Sequence, residues 1–217
     1  MYPFPLHIWF EIGALITSAI CWYWIRKTKL KWFFFFLFCI VCVELVGRYY
    51  RKVLHAPNTW LYNFTIPGEY LFFGCIFYLF FRKKRFRQSA LLFLVLYPMV
   101  VAINLLYAGT YYLNTVNVIV GTLGIIIFCC LFFYEIFEEE EMVSIIREPM
   151  FWIVSGLFLF CTGEFFYNLF FSLIKVQGMT QLRKFSGAIN HNLILVLYTC
   201  ISIGLIWAAT RKRFILR

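Results

Sequence analysis

The sequence predicts an all-α protein, a single bundle of seven transmembrane helices filling residues 1–217, and three observations carry that reading. The chain is 63% hydrophobic and only 14% charged, with a mean hydropathy of +0.82, whereas soluble domains are nearer half apolar and about a quarter charged. A bilayer core of ~30 Å takes about 20 helical residues to cross, and seven apolar stretches of about that length follow one another with short polar connections. Trp9, Trp22, Trp24, Trp32, Trp60, Trp152 and Trp207 all fall near the ends of those stretches, where indoles prefer the membrane interface. The composition excludes a soluble domain, a disordered chain and a secreted disulfide scaffold.

The first helix covers about 5–25. It has no basic leader and no small-residue cleavage site, so it reads as a retained span. His7, Glu11, Ala14 and Ser18 recur at i, i+4, i+7 and i+11 and share one face. The second, 32–54, carries Glu44, Arg48 and Arg51 at the same spacing, which His55 continues just past its end. Glu44 one turn before Arg48 is the favourable order for an ion pair, so Arg48 either neutralises Glu44 or anchors a ligand. The third, 59–81, holds Thr65-Ile66-Pro67-Gly68-Glu69. Proline removes a donor and clashes with the preceding turn, so a helix break is expected at Pro67 and Gly68, of the kind that lines cavities and transport sites in membranes. The alternative is a helix that begins at Pro67.

The fourth span, 89–108, contains Pro98 and ends near Asn104. The fifth, 113–134, opens with Asn114 and Asn117, and Asn117, Gly121 and Gly124 make a small-residue face suited to helix contacts in lipid. The sixth, 150–174, carries Glu164 with Asn168 one turn above. The seventh, 190–210, opens with Asn190, His191 and Asn192. It contains no Lys, so a retinal Schiff base is not supported.

Basic residues set the orientation. Arg26, Lys27, Lys29 and Lys31 occupy the first connection, Arg82, Lys83, Lys84, Arg85 and Arg87 the third, Arg147 the fifth, and Arg211, Lys212, Arg213 and Arg217 the tail. The other side has only Arg48, Arg51, Lys52, Lys175, Arg183 and Lys184. The N-terminus is therefore expected outside and the C-terminus in the cytoplasm of a multi-pass cell (inner) membrane protein. Topology thus accounts for the net charge of +10, and no nucleic-acid partner is inferred.

Ionisable groups inside a bilayer are costly and mark functional sites by default. There is no Asp, and four Glu fall inside spans: Glu11, Glu44, Glu69 and Glu164. At 1.5 Å per residue, Glu11 lies roughly 9 Å below the outer surface and the other three roughly 15 Å deep. Asn104, Asn117, Asn168 and His191 stack towards the same side, while the inner halves of the spans are apolar. An outward-facing polar funnel follows, binding a small cationic or polar ligand through the four carboxyls, with Arg48, the three Asn and His191 orienting it.

His7 and Glu11 are one turn apart, and with His191 they are weak candidates for a metal site. No H-E-x-x-H, close His pair or nucleophile–base motif accompanies them, and no cofactor is specified. The eight cysteines sit in apolar stretches, where thiols behave as small hydrophobes. The segment 135–149 opens with the one acidic run, Glu135 to Glu141, and is expected to be a cytoplasmic loop. It pairs with the basic connections or docks a protein partner.

Asn58-Thr59-Trp60-Leu61-Tyr62-Asn63-Phe64, Glu69-Tyr70-Leu71-Phe72-Phe73 and Phe151-Trp152-Ile153-Val154-Ser155-Gly156 resemble segments of small bacterial seven-helix membrane proteins, which in turn resemble the seven-helix sensory regions ahead of histidine kinases. The resemblance implies a sensory or accessory membrane protein. A small transporter or proton pathway using the same Glu residues is the alternative, and an intramembrane metal-dependent hydrolase a lesser one.

Overall fold

The computed structural model describes residues 5–110, 112–139, 145–177 and 180–215, with the side chains of all these except 139, 170–177, 180–191 and 212–215. Among the described residues the chain forms seven α-helices: α1 (Leu6–Ile25), α2 (Trp32–Lys52), α3 (Thr59–Phe80), α4 (Lys84–Ala108), α5 (Thr115–Glu139), α6 (Pro149–Gln177) and α7 (Thr180–Ile215). Six of them, all but α3, contain stretches long and apolar enough to cross a membrane, and α3 is diluted by Asn63, Pro67 and Glu69. Outward faces carry Ile16, Ile20, Phe35, Phe38, Leu92, Val95, Met99 and Ile103. Apolar side chains turned outward around buried polar ones suit lipid as the solvent, and the fold is that of a multi-pass membrane protein.

Each helix buries one stripe. On α1 it is Ile8, Glu11, Ala14, Ser18, Cys21 and Ile25. On α2 it is Phe33, Phe36, Leu37, Ile40, Val41 and Gly47. The stripes close a ring in which α1 lies between α2 and α7, α7 packs along α6, and α6 packs on α5. Helix α3 packs closely on α4 and α5 but loosely on α2. Helix α4 lies outside the ring and buries only Ala90 and Tyr97. The α6–α7 seam is tight because glycine permits it. A Cβ on Gly204 would come within 2.7 Å of the Pro149 carbonyl oxygen.

Polar contacts pin both ends. At the end where α1 begins, called upper here, Asn58 Nδ2 donates to the Gly47 carbonyl at 3.0 Å. Asn63 Nδ2 donates to the carbonyls of Thr110 at 3.2 Å and Tyr112 at 2.9 Å, and its Oδ1 accepts from the Asn114 amide at 2.9 Å. Gly109, at φ +69° and ψ −172°, ends α4 in an extended positive-φ conformation that glycine alone adopts freely. At the lower end, Lys29 Nζ donates to the Leu79 carbonyl and Arg211 pairs with Glu148 at 2.7 Å.

Three expectations change. First, α3 runs unbroken from Thr59 to Phe80 with Pro67 inside it, so Pro67 and Gly68 do not divide the helix. A proline frees one carbonyl four residues back, and the flanking turns continue on either side. Second, the acidic run is not a loop from its start, because α5 continues to Glu139. Glu135, 2% exposed, accepts from the backbone amides of Arg82 at 3.1 Å and Lys83 at 2.5 Å, and Glu138 pairs with Lys83. Residues 140–144 lie outside the described residues. Third, α6 and α7 extend into the expected 175–189 connection, since a helix can outrun the apolar stretch that marks its span.

Candidate functional site

The carboxyls are set by helical period. Tyr62, Ile66 and Glu69 lie at i, i+4 and i+7 on α3. Phe160, Glu164, Tyr167 and Asn168 do the same on α6, and Ile40 and Glu44 on α2. These faces and that of Glu11 on α1 enclose a cavity of about 340 Å³. Leu113, Val118, Ile194, Leu197 and Tyr198 complete its wall, so every helix except α4 contributes. Glu11, Glu44, Glu69 and Glu164, from four different helices, all line this one chamber.

Their partners differ. Glu164 Oε2 accepts from the Tyr70 hydroxyl at 2.8 Å, and Glu44 Oε2 from the Tyr62 hydroxyl at 3.3 Å. Glu11 is 4% exposed, and its Oε2 has no hydrogen-bond partner among the described residues. A buried oxygen left without a partner carries a desolvation cost of about 1–3 kcal/mol. Asn168, one turn above Glu164, donates to the Glu164 carbonyl at 2.9 Å and also lines the chamber.

Above the chamber lies a second cavity of about 430 Å³, lined by His7, Arg48, Arg51, Lys52 and Asn58 among others, and sharing Glu44 and Tyr62 with the first. His7 Nε2 stands 4.0 Å from Glu44 Oε2. Arg48 is thus a wall of this basic vestibule rather than of the carboxylate chamber. Below the chamber, aromatic rings fill the bundle. Phe36 stacks on Phe72 with centroids 4.2 Å apart, and Phe77 and Phe93 both pack against Phe128.

Asn104 and Asn117 do not line the chamber. Asn104 Nδ2 donates to Asn114 Oδ1 at 2.7 Å and to Asn117 Oδ1 at 3.0 Å, and the Asn117 carbonyl accepts from the Tyr97 hydroxyl at 2.9 Å. Asn117 is 1% exposed. These asparagines tie α4 to α5 and close the upper end. The side chain of His191 lies outside the described residues. His7 and Glu11, one turn apart, face different cavities, and among the described residues no three His, Cys or Glu side chains gather as a metal would require. All eight cysteines are free thiols.

Sequence reasoning aligned Tyr198 with His191 and Ser202 on one face of the last helix but gave no tyrosine a role in the site. Tyr62, Tyr70, Tyr167 and Tyr198 surround the carboxyls, and the i, i+4, i+7 row through Tyr62 and Glu69 carried that signal. Comparison with known proteins finds no matching family model, no matching curated protein and no matching solved structure.

Proposed function

We propose that this protein is a sensory or accessory component of the cell (inner) membrane that binds a small cationic ligand in the carboxylate chamber. In this reading α3 supplies a seventh crossing, since its 22 residues extend about 33 Å. The N-terminus is outside and the C-terminus cytoplasmic, as the basic connections require. The observation that carries the reading is the convergence of Glu11, Glu44, Glu69 and Glu164 on one cavity, with a buried Glu11 oxygen left unpartnered among the described residues. Carboxylates crowded in a low-dielectric chamber repel one another and attract a cation strongly.

The chamber adjoins the vestibule above and a packed aromatic layer below, which favours sensing over conduction. Occupancy shifts the packing of α1, α6 and α7, the helices that bring Glu11, Glu164 and Tyr198 to the chamber. A partner protein at the 135–149 segment reads the change. The resemblance to seven-helix sensory regions supports the same reading.

Ethylammonium tests it. In lipid nanodiscs the cation raises the thermal midpoint of the protein as ligand linkage requires, and Glu11→Gln and Glu69→Gln each remove most of that rise. A midpoint indifferent to the cation, or a rise untouched by both variants, overturns the proposal. Cation flux in proteoliposomes that Glu69→Gln abolishes would replace sensing with transport.

A further inference from the structure

The chamber adjoins a third space. A groove of about 360 Å³ runs between α2 and α3, lined by Trp32, Phe35, Phe36, Cys39 and Ile40 on one side and Thr65, Gly68, Glu69 and Phe72 on the other. Ile40 and Glu69 line both the groove and the chamber. This is the loosest joint of the ring. The groove faces outward, with Trp32 47% and Phe35 48% exposed. The Thr65 hydroxyl donates to the Leu61 carbonyl of its own helix at 2.8 Å, so its proton is engaged there. A Cβ on Gly68 would meet nothing within 4 Å, so the space beside it is open. From Trp32 to Ile40 the groove follows α2 for ~12 Å.

The two ways into the chamber differ in charge. From above, a cation passes Arg48, Arg51 and Lys52 before it reaches Glu44, so positive charge outnumbers negative on that route and opposes its entry. From the side it meets hydrocarbon and aromatic rings, then Glu69. A bare inorganic cation has no means of using the lateral path. A cation on a hydrocarbon chain does, because its chain partitions into lipid and its head finds the carboxyls.

We infer that the ligand is an amphiphilic amine, a single-chain lipid or lipid-like molecule, whose cationic head sits among the carboxyls and whose chain lies in the α2–α3 groove. This rests on the proposed carboxylate ligand site and names the class of molecule it takes. The head lies in the field of Glu11, Glu44, Glu69 and Glu164, which line one chamber, with the Glu11 oxygen that has no partner among the described residues as its acceptor. The chain packs on Phe35, Cys39 and Phe72, and aromatic faces around an ammonium add to the attraction.

The test compares equilibrium binding of decylammonium and ethylammonium to the full chain in phosphatidylcholine nanodiscs, with empty discs subtracted. The wild type binds decylammonium at least tenfold more tightly. Gly68→Trp plugs the groove and lowers the decyl-to-ethyl affinity ratio tenfold or more. Cys39→Phe, from the opposite wall, does the same and covers the case in which the first variant fails to fold. Glu11→Gln weakens both probes. An unchanged ratio in both plug variants overturns the amphiphile while leaving the carboxylate site standing. Binding of neither probe, or binding of both that ignores Glu11→Gln, overturns the site and this inference with it.

Discussion

The Tyr70 hydroxyl donates to Glu164 Oε2 at 2.8 Å, joining α3 to α6 across the wall of the chamber. The same ring lies so close to α5 that a Cβ on Gly121 would come within 2.2 Å of it, and it meets Tyr97 edge-on at 6.1 Å. One tyrosine therefore ties α3 to three other helices, α4, α5 and α6, at the depth of the carboxyls. Tyr70→Phe keeps the packing and removes the donor. It is expected to cost about 1–3 kcal/mol, read as a lowered thermal midpoint. A double-mutant cycle with Glu164→Gln should return a coupling of about 0.5–3 kcal/mol, and zero coupling would show that the contact is not made.

Gly121 and Gly13 make a matched pair. Gly121→Ala drives a methyl into the Tyr70 ring and should destabilise by about 1–3 kcal/mol. Gly13 has nothing within 4 Å of a Cβ, so Gly13→Ala should be neutral or stabilising by up to about 1 kcal/mol. Thermal unfolding in one detergent compares them directly.

At the lower end, Glu135→Ala strips the acceptor from two backbone amides, those of Arg82 and Lys83. Expected is a loss of about 1–3 kcal/mol and faster hydrogen exchange at those two amides. Exchange unchanged at both would remove Glu135 from the α3–α4 corner.

Asn63→Ala deletes three hydrogen bonds to the α4–α5 turn. Trypsin has no site there, so chymotrypsin is the reporter. Cleavage near Tyr112, which is 81% exposed, should accelerate several-fold, while ethylammonium binding by the chamber carboxyls falls less than it does in Glu11→Gln.

The crossing of α3 is open to labelling. Leu54 precedes α3 and Lys84 follows it, and both are exposed. In a cysteine-depleted background, Leu54→Cys should react with an impermeant maleimide only from outside, and Lys84→Cys only in inside-out vesicles. Reaction of both from one side would remove α3 from the membrane-spanning set.

The bundle was legible in sequence because hydropathy reports span length directly, and helix ends were less so because polar turns continue α4, α6 and α7 past their apolar stretches. The four Glu could be grouped by depth alone, since each falls at a comparable distance along its span. Asn104 and Asn117 share that end of the bundle, yet they serve its closure. An amide can bond side chain or backbone equally well, and spacing along one helix does not say which. Glu135 looked like part of a solvated run because charge density hides one buried member. Arg48 stands on the face of Glu44 but one turn higher along α2, and that turn places it at the vestibule.

The packed rings beneath Glu69 have an electrical consequence. Among the described residues, the next carboxylate below the chamber is Glu135, at the far end of α5. Two buried hydroxyls between, those of Ser18 and Thr122, are bonded to carbonyls of their own helices, while the buried Thr162 Oγ1, about half a turn below Glu164 on α6, has no hydrogen-bond partner among the described residues. Below that hydroxyl the described side chains form a long apolar and aromatic interval, a poor path for protons. In the proposed sensory reading the chamber is a cul-de-sac: a planar bilayer holding this protein should show no current above leak, and occupancy of the carboxyls would be passed on as movement of helices.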